Sequence, residues 1–142
     1  LEKLNAIVLL SLKPKGRAVK SNYTSLSQEK FTALVDYALA MGVGIGFDSC
    51  GCHKFLEAIK GRPNEVELTA MSDPCESALF SSYFNTDGVF FPCSFAEGNA
   101  DVEWETGLNV IDYNGVWWED ERVEKWRQRL LGNCRNCPMY NI

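Results

Sequence analysis

Residues 75–93 read CESALFSSYFNTDGVFFPC, a turn sequence set between two aromatic-rich runs with a cysteine at each end. Leu79 to Phe84 and Val89 to Phe91 have the composition of strands. Asn85, Thr86, Asp87 and Gly88 between them are a strong hairpin signal, with Gly88 supplying the positive φ of the turn. Twelve residues separate Cys75 from Gly88, and four separate Gly88 from Cys93. A second pair, Cys134 and Cys137, forms a CxxC followed directly by Pro138. Four thiolates drawn from a hairpin and a distant CxxC suit one soft centre, and both zinc and a 4Fe-4S cubane meet that description. Phe80, Tyr83, Phe84, Phe90, Phe91 and Phe95 around the first pair would limit solvent access, a lever on cluster potential.

Working outward, Asp120 to Leu131 has helical periodicity with Val123, Trp126 and Leu130 toward a core, and Gly132 stops it just before the CxxC. Ala96 to Gly115 is polar and rich in Gly and Asn, with one short strand candidate at Leu108 to Ile111. Composition shifts over Arg62 to Asp73, which places a domain boundary near Arg62 and divides the chain into residues 1–61 and 62–142.

The first part predicts a strand, helix, strand unit. Asn5 to Leu12 is a continuous apolar run, the pattern of a strand buried on both faces in a parallel sheet. Ser27 is an N-cap with Leu26 and Phe31 at the staple positions, and Phe31, Leu34, Val35, Ala38 and Leu39 form one stripe that ends at Met41 and Gly42. Val43 to Phe47 is a second strand, parallel to the first through a right-handed crossover. A short helix then follows through Phe55, Leu56 and Ile59 to Gly61. Two strands cannot stand alone, so a barrel or sheet with further strands is expected. The carboxyl ends of such strands form the ligand-binding rim, where Lys13, Lys15 and Arg17 and the Asp48 to His53 segment lie.

The totals narrow the function classes. A chain of 142 residues, 46% hydrophobic and 23% charged, holds one ordinary core or a modest core with a metal-stapled appendage. A net charge of -5 argues against nucleic acid as the main partner. The apolar run at Ala6 to Leu10 is too short to span a bilayer and no cleavage site follows it, so the expectation is a cytoplasmic protein without a membrane partner. A disulfide framework fits the six cysteines only superficially, because such frameworks serve small secreted domains with poor cores. The chain opens at Leu1 and runs almost at once into a strand, which predicts a missing N-terminal part.

Taken in order, these motifs resemble the C-terminal part of a radical S-adenosylmethionine (SAM) enzyme with a SPASM or Twitch extension. Cys75, Gly88 and Cys93 fit the opening pattern of that extension, TDGVFFPC at Thr86 to Cys93 resembles its hairpin, and WWEDERVEKWRQRLL at Trp117 to Leu131 resembles the helix before its closing cysteines. CRNCP at Cys134 to Pro138 fits the closing motif, and VLLSLKPKGR at Val8 to Arg17 and GFDSC at Gly46 to Cys50 resemble the end of the radical SAM barrel. The resemblance implies an α/β chain. Residues 1–61 would close a partial (β/α) barrel, and residues 62–142 would hold one auxiliary 4Fe-4S cluster on Cys75, Cys93, Cys134 and Cys137. It also implies SAM and a second 4Fe-4S cluster in the missing N-terminal part, because the CxxxCxxC motif is absent here and the chain alone should be inactive. The implied partners are a peptide or small-molecule substrate and a reductant such as flavodoxin or ferredoxin. A full SPASM domain continues with further cysteines, so the four available fit the single-cluster Twitch form better. The alternative from another class is a non-catalytic zinc module, held by the same four cysteines, that mediates interaction.

Other candidates carry a sharp and a bland reading each. Cys50 could face substrate as a hydrogen-atom or proton donor, and Cys52 stands beside it, but a buried cysteine also behaves as a small hydrophobe. His53, the only histidine, has neutral-pH chemistry or is a polar residue at a helix start. Lys13, Lys15 and Arg17 could bind a carboxylate or phosphate of SAM or substrate, or form a solvated loop. Asp48 could orient a substrate amine or cap the next segment. Trp104, Trp117, Trp118 and Trp126 read as packing residues rather than a base-stacking surface.

Overall fold

The computed structural model describes residues 4–13, 15, 18 and 23–132. The chain is a mixed α/β protein with a two-stranded and a three-stranded sheet and five α-helices among those residues. It forms two compact units, Leu1–Cys75 and Glu76–Ile142.

In the first unit, β1 (Ala6–Leu9) pairs in parallel with β2 (Gly44–Phe47), Ile7 opposite Ile45 and Leu9 opposite Phe47. Helix α1 (Gln28–Ala40) connects them and begins where its sequence says it should, with Ser27 Oγ accepting from the Lys30 N–H. It ends at Met41 and at Gly42, whose φ of +65° is the left-handed stop. Beyond β2 come a 3-10 turn at Ser49–Gly51, α2 (Cys52–Ile59) and the short α3 (Glu65–Ala70). Phe31 and Val35 of α1 meet Phe55, Ala58 and Ile59 of α2, and Leu9, Ile45 and Phe47 of the sheet close that cluster. The rings of Phe47 and Phe55 stack with centroids 4.4 Å apart.

The expected burial of the first strand on both faces holds for one face only. Leu9, Ile45 and Phe47 lie on the face toward the helices, whereas Val8 and Leu10 are 62% and 75% exposed. The physical reason is the single layer: among the described residues both helices of the cluster cover the same side of a sheet with only two strands. Helix α3 places Leu68 against the first cluster, within the unit that runs to Cys75.

In the second unit, β3 (Tyr83–Phe84) and β4 (Val89–Phe91) form the hairpin, with Tyr83 opposite Phe91, and β5 (Leu108–Asn109) adds to the other edge of β4. Gly88 takes φ +75°, and Asn85 Oδ1 accepts from the N–H groups of Asp87 and Val89, which builds the turn from its own side chain. The first strand is shorter than its composition suggests. Leu79 and Phe80 belong to a turn in which the Glu76 carbonyl accepts from Leu79, Phe80 and Ser81, and Phe80 is left 85% exposed.

Helices α4 (Tyr113–Glu119) and α5 (Glu121–Gly132) complete this unit. Val123 and Trp126 of α5 are buried as expected and Leu130 packs beside them, against Phe90, Trp104 and Trp117. Of the four tryptophans expected to pack, Trp118 is the exception, since it follows the buried Trp117 on α4 and falls on the outer face at 69% exposure. Gly107 is where the backbone must pass close to β4: a Cβ there would stand 2.4 Å from Val89 Cγ1 and 2.5 Å from the Phe90 carbonyl oxygen.

Two substitutions test this packing. Phe55→Ala should destabilise the first unit by about 3 to 5 kcal/mol, measured by urea unfolding. Gly107→Ala should cost about 1 to 3 kcal/mol, read on the same transition through tryptophan fluorescence, because a backbone oxygen cannot move aside.

Candidate functional site

The two cysteine-bearing segments of the hairpin region are organised by a serine. Ser77, two residues after Cys75, is buried and donates through Oγ to the carbonyl of Pro92, the residue before Cys93, at 2.8 Å. The same oxygen accepts from Trp126 Nε1 at 2.9 Å. Helix α5, which leads toward Cys134 and Cys137, is therefore fastened to the point that joins residues 77 and 92.

A second fastening lies one residue on. Arg127 is 9% exposed and donates through Nε to the Ala78 carbonyl at 2.7 Å and through Nη2 to the Trp117 carbonyl, while its guanidinium lies 4.8 Å from the centre of the Trp117 ring. Ala78 takes φ 54°, a left-handed conformation that costs a residue with a Cβ about 1 kcal/mol or more. Its own N–H donates to the Ser81 carbonyl, and these two bonds hold it in that conformation.

Cys75 and Cys93 are both half-buried. Cys93 packs against the core of the second unit, and its carbonyl accepts from the Ala96 N–H at 3.1 Å. Cys134 and Cys137 lie outside the described residues. Among the described residues no group of three or more His, Cys, Asp or Glu side chains could hold a metal ion, and no two of the described cysteines are joined by a disulfide.

At the strand ends of the first unit, Asp48 is the organiser. Its Oδ1 accepts from the Ser11 N–H at 3.2 Å and the Gly51 N–H at 3.0 Å, and its Oδ2 pairs with Lys13. The carboxylate thus caps the 3-10 turn and ties it to the end of β1, and the Lys13 ammonium is engaged with it at 15% exposure. Lys15 is described near this end, whereas Arg17 lies outside the described residues. Cys50 sits half-buried in the turn, and Cys52 is buried at the first position of α2.

His53 is the electrostatic outlier of this region. Burial, with the neighbouring Lys54 charge, lowers its pKa from 6.5 to about 4, against a smaller opposing effect of a hydrogen bond to the Cys50 backbone. Its imidazole is therefore neutral at physiological pH. Sequence reasoning reached Cys75, Cys93 and the strand-end residues but not Ser77, Trp126 and Arg127 as their supports, because a serine 15 residues from its acceptor and 49 from its donor leaves no local pattern.

Comparison with protein-family models, with curated proteins and with solved structures finds no match to this chain. No helix among the described residues is long and apolar enough to cross a membrane.

Both the serine bridge and the half-buried histidine can be tested by substitution. Ser77→Ala removes both bonds and leaves a buried carbonyl and a buried indole N–H without their partner, so it should cost about 1 to 3 kcal/mol per group in urea unfolding, whereas Ser81→Ala on the neighbouring turn should cost less. For His53, the unfolded chain takes up a proton near pH 6.5 and the folded one only near pH 4. Its contribution to stability is therefore complete above pH 6.5 and is lost as the pH falls toward 4. The difference in melting temperature between the parent and His53→Gln should change across that window and level off above it.

Proposed function

We propose that this chain carries the auxiliary iron-sulfur site of a radical SAM enzyme, with one 4Fe-4S cluster held by Cys75, Cys93, Cys134 and Cys137. The observation that carries the reading is the convergence on Ser77. Residue 77, residue 92 and α5 are tied at one buried hydroxyl, and each leads within a few residues to one of the cysteines or to the CxxC. A ligand set drawn from three separate segments needs that kind of fastening, since metal affinity depends on how well the ligands are oriented before the metal arrives.

The parallel β1, α1, β2 arrangement supports the companion proposal that the first unit is the closing portion of a partial (β/α) barrel. Its outer strand face bears exposed Val8 and Leu10, as a sheet with further layers would require. On this reading the substrate, a peptide or small molecule, approaches the strand ends, where Cys50 is the candidate hydrogen donor and Lys13 and Arg17 are the candidate anion ligands. Asp48 holds the Lys13 ammonium in place there, so Lys13 positions the turn as well as offering charge.

When bound, a cluster with four thiolate ligands supplies one-electron transfer and has no open iron for substrate. On this reading Ser77 and Arg127 steady the backbone that follows Cys75 and precedes Cys93, and Phe91 and Trp126 belong to the core against which Cys93 packs. Reductive SAM cleavage would belong to residues outside this chain, with electrons from a flavodoxin- or ferredoxin-type donor.

The test is metal identity. Anaerobic reconstitution with iron and sulfide should give a brown protein with about four irons per chain, and Cys93→Ala or Cys137→Ala should abolish the colour. A colourless protein that retains about one zinc and rejects iron would replace this reading with a structural four-cysteine zinc module.

A further inference from the structure

At the edge of its core the second unit carries exposed aromatic rings that the cysteine reading does not use. Phe84, Tyr113, Trp117 and Trp118 form a continuous series of rings with centroids 5.9, 5.7 and 6.3 Å apart, and all but Trp117 are at least 40% exposed. These rings are held rather than loose. Tyr113 stacks on buried Trp117 at 26°, Phe84 meets Phe90 edge-on, and Trp118 stands edge-on to Trp117 with the Arg127 guanidinium 5.5 Å from its centre. An exposed indole that already packs against neighbouring groups loses less entropy on binding than a free one, which is the property of an interface anchor.

The charge of this part of the chain is one-sided. Residues 76–142 carry 11 of the chain's 19 Asp and Glu but only 5 of its 14 Lys and Arg. Four of those cations lie on α5 and are engaged within the unit: Lys125 and Arg129 pair with Glu103, Arg122 donates to the Glu103 and Thr106 carbonyls, and Arg127 is buried. Asp112, Glu119 and Glu121 bracket α4, are exposed, and make no ion pair among the described residues. Held aromatic rings beside uncompensated carboxylates select lysine or arginine, which interacts with the ring face and the acid together.

We propose that the Phe84, Tyr113 and Trp118 face is a docking surface for a cationic polypeptide segment carrying apolar side chains. The segment would lay its apolar groups on the rings and its cations against Asp112, Glu119 and Glu121. The proposal goes beyond the metal reading and holds whether the cysteines take iron or zinc.

A synthetic peptide of alternating Lys and Leu, titrated against the full chain by calorimetry, tests it, with a Glu-for-Lys peptide as control. The Lys peptide should bind and the Glu peptide should not. Trp118→Ala should weaken binding about tenfold or more, and Glu119→Gln with Glu121→Gln should weaken it and flatten its salt dependence. Circular dichroism should be unchanged in these variants, since all three side chains are exposed. Equal binding by parent and Trp118→Ala would overturn the proposal, because it would mean only diffuse attraction to an acidic protein. Absence of binding would also overturn it, as would a dimer of this chain that Trp118→Ala dissociates in place of peptide binding.

Discussion

The hydroxyl of Ser77 is the constraint on which the second unit depends. It receives the Trp126 indole N–H and donates to the Pro92 carbonyl, both in buried surroundings. A hydroxyl can do both at once, and no apolar side chain of similar size can do either. Because the net gain of a satisfied buried hydrogen bond is small and the cost of an unsatisfied one is larger, this arrangement acts chiefly as a selector. It admits the one placement of α5 in which the indole reaches residue 77, and the aromatic core then closes around Trp126 with Trp104 edge-on at 6.4 Å.

Arg127 adds a second selection on the adjacent residue. A guanidinium at 9% exposure is costly unless its donors find acceptors, and here they find the Ala78 and Trp117 carbonyls while the indole rings of Trp117 and Trp118 lie beside the cation. The left-handed Ala78 is part of the same device. Its conformation turns the carbonyl to where Arg127 can bond it, so a backbone strain at one residue is offset by a charge-assisted bond from another helix.

What the sequence made legible follows from how local each cause is. The Ser27 cap, the Phe31, Val35, Ala38 and Leu39 stripe and the Gly42 stop are local to one helix and as expected from the pattern, whereas Leu34, expected on the same stripe, is 45% exposed. Asn85 and Gly88 decide the hairpin within five residues, and they do so in the structure. Helix α4 was not legible, because Asp112 caps only seven residues whose Gly115 and aromatic run give no helical period. The same holds for α3, six residues long in a stretch that reads as a composition shift. Leu79 and Phe80 have strand composition, but three amides converge on the Glu76 carbonyl there and a turn wins. At the strand ends the residue types were legible and their pairing was not. Asp48 and Lys13 are 35 positions apart, and only the parallel register of β1 and β2 brings them together.

The two units differ in where their apolar surface goes, and that difference bears on how each could work. In the second unit the large buried rings meet one another around Phe90, and the exposed ones gather along α4 and the hairpin. In the first, exposed apolar residues include Val8 on β1 and Leu10 just beyond its end. Rings held in fixed rotamers can receive a partner and release it, because the unit keeps its core either way. The first unit likewise keeps its core, which lies on the opposite face of the two-stranded sheet. The exposed apolar surface of the first unit is thus strand edge and face, and that of the second is a set of aromatic rings on a helix and a hairpin.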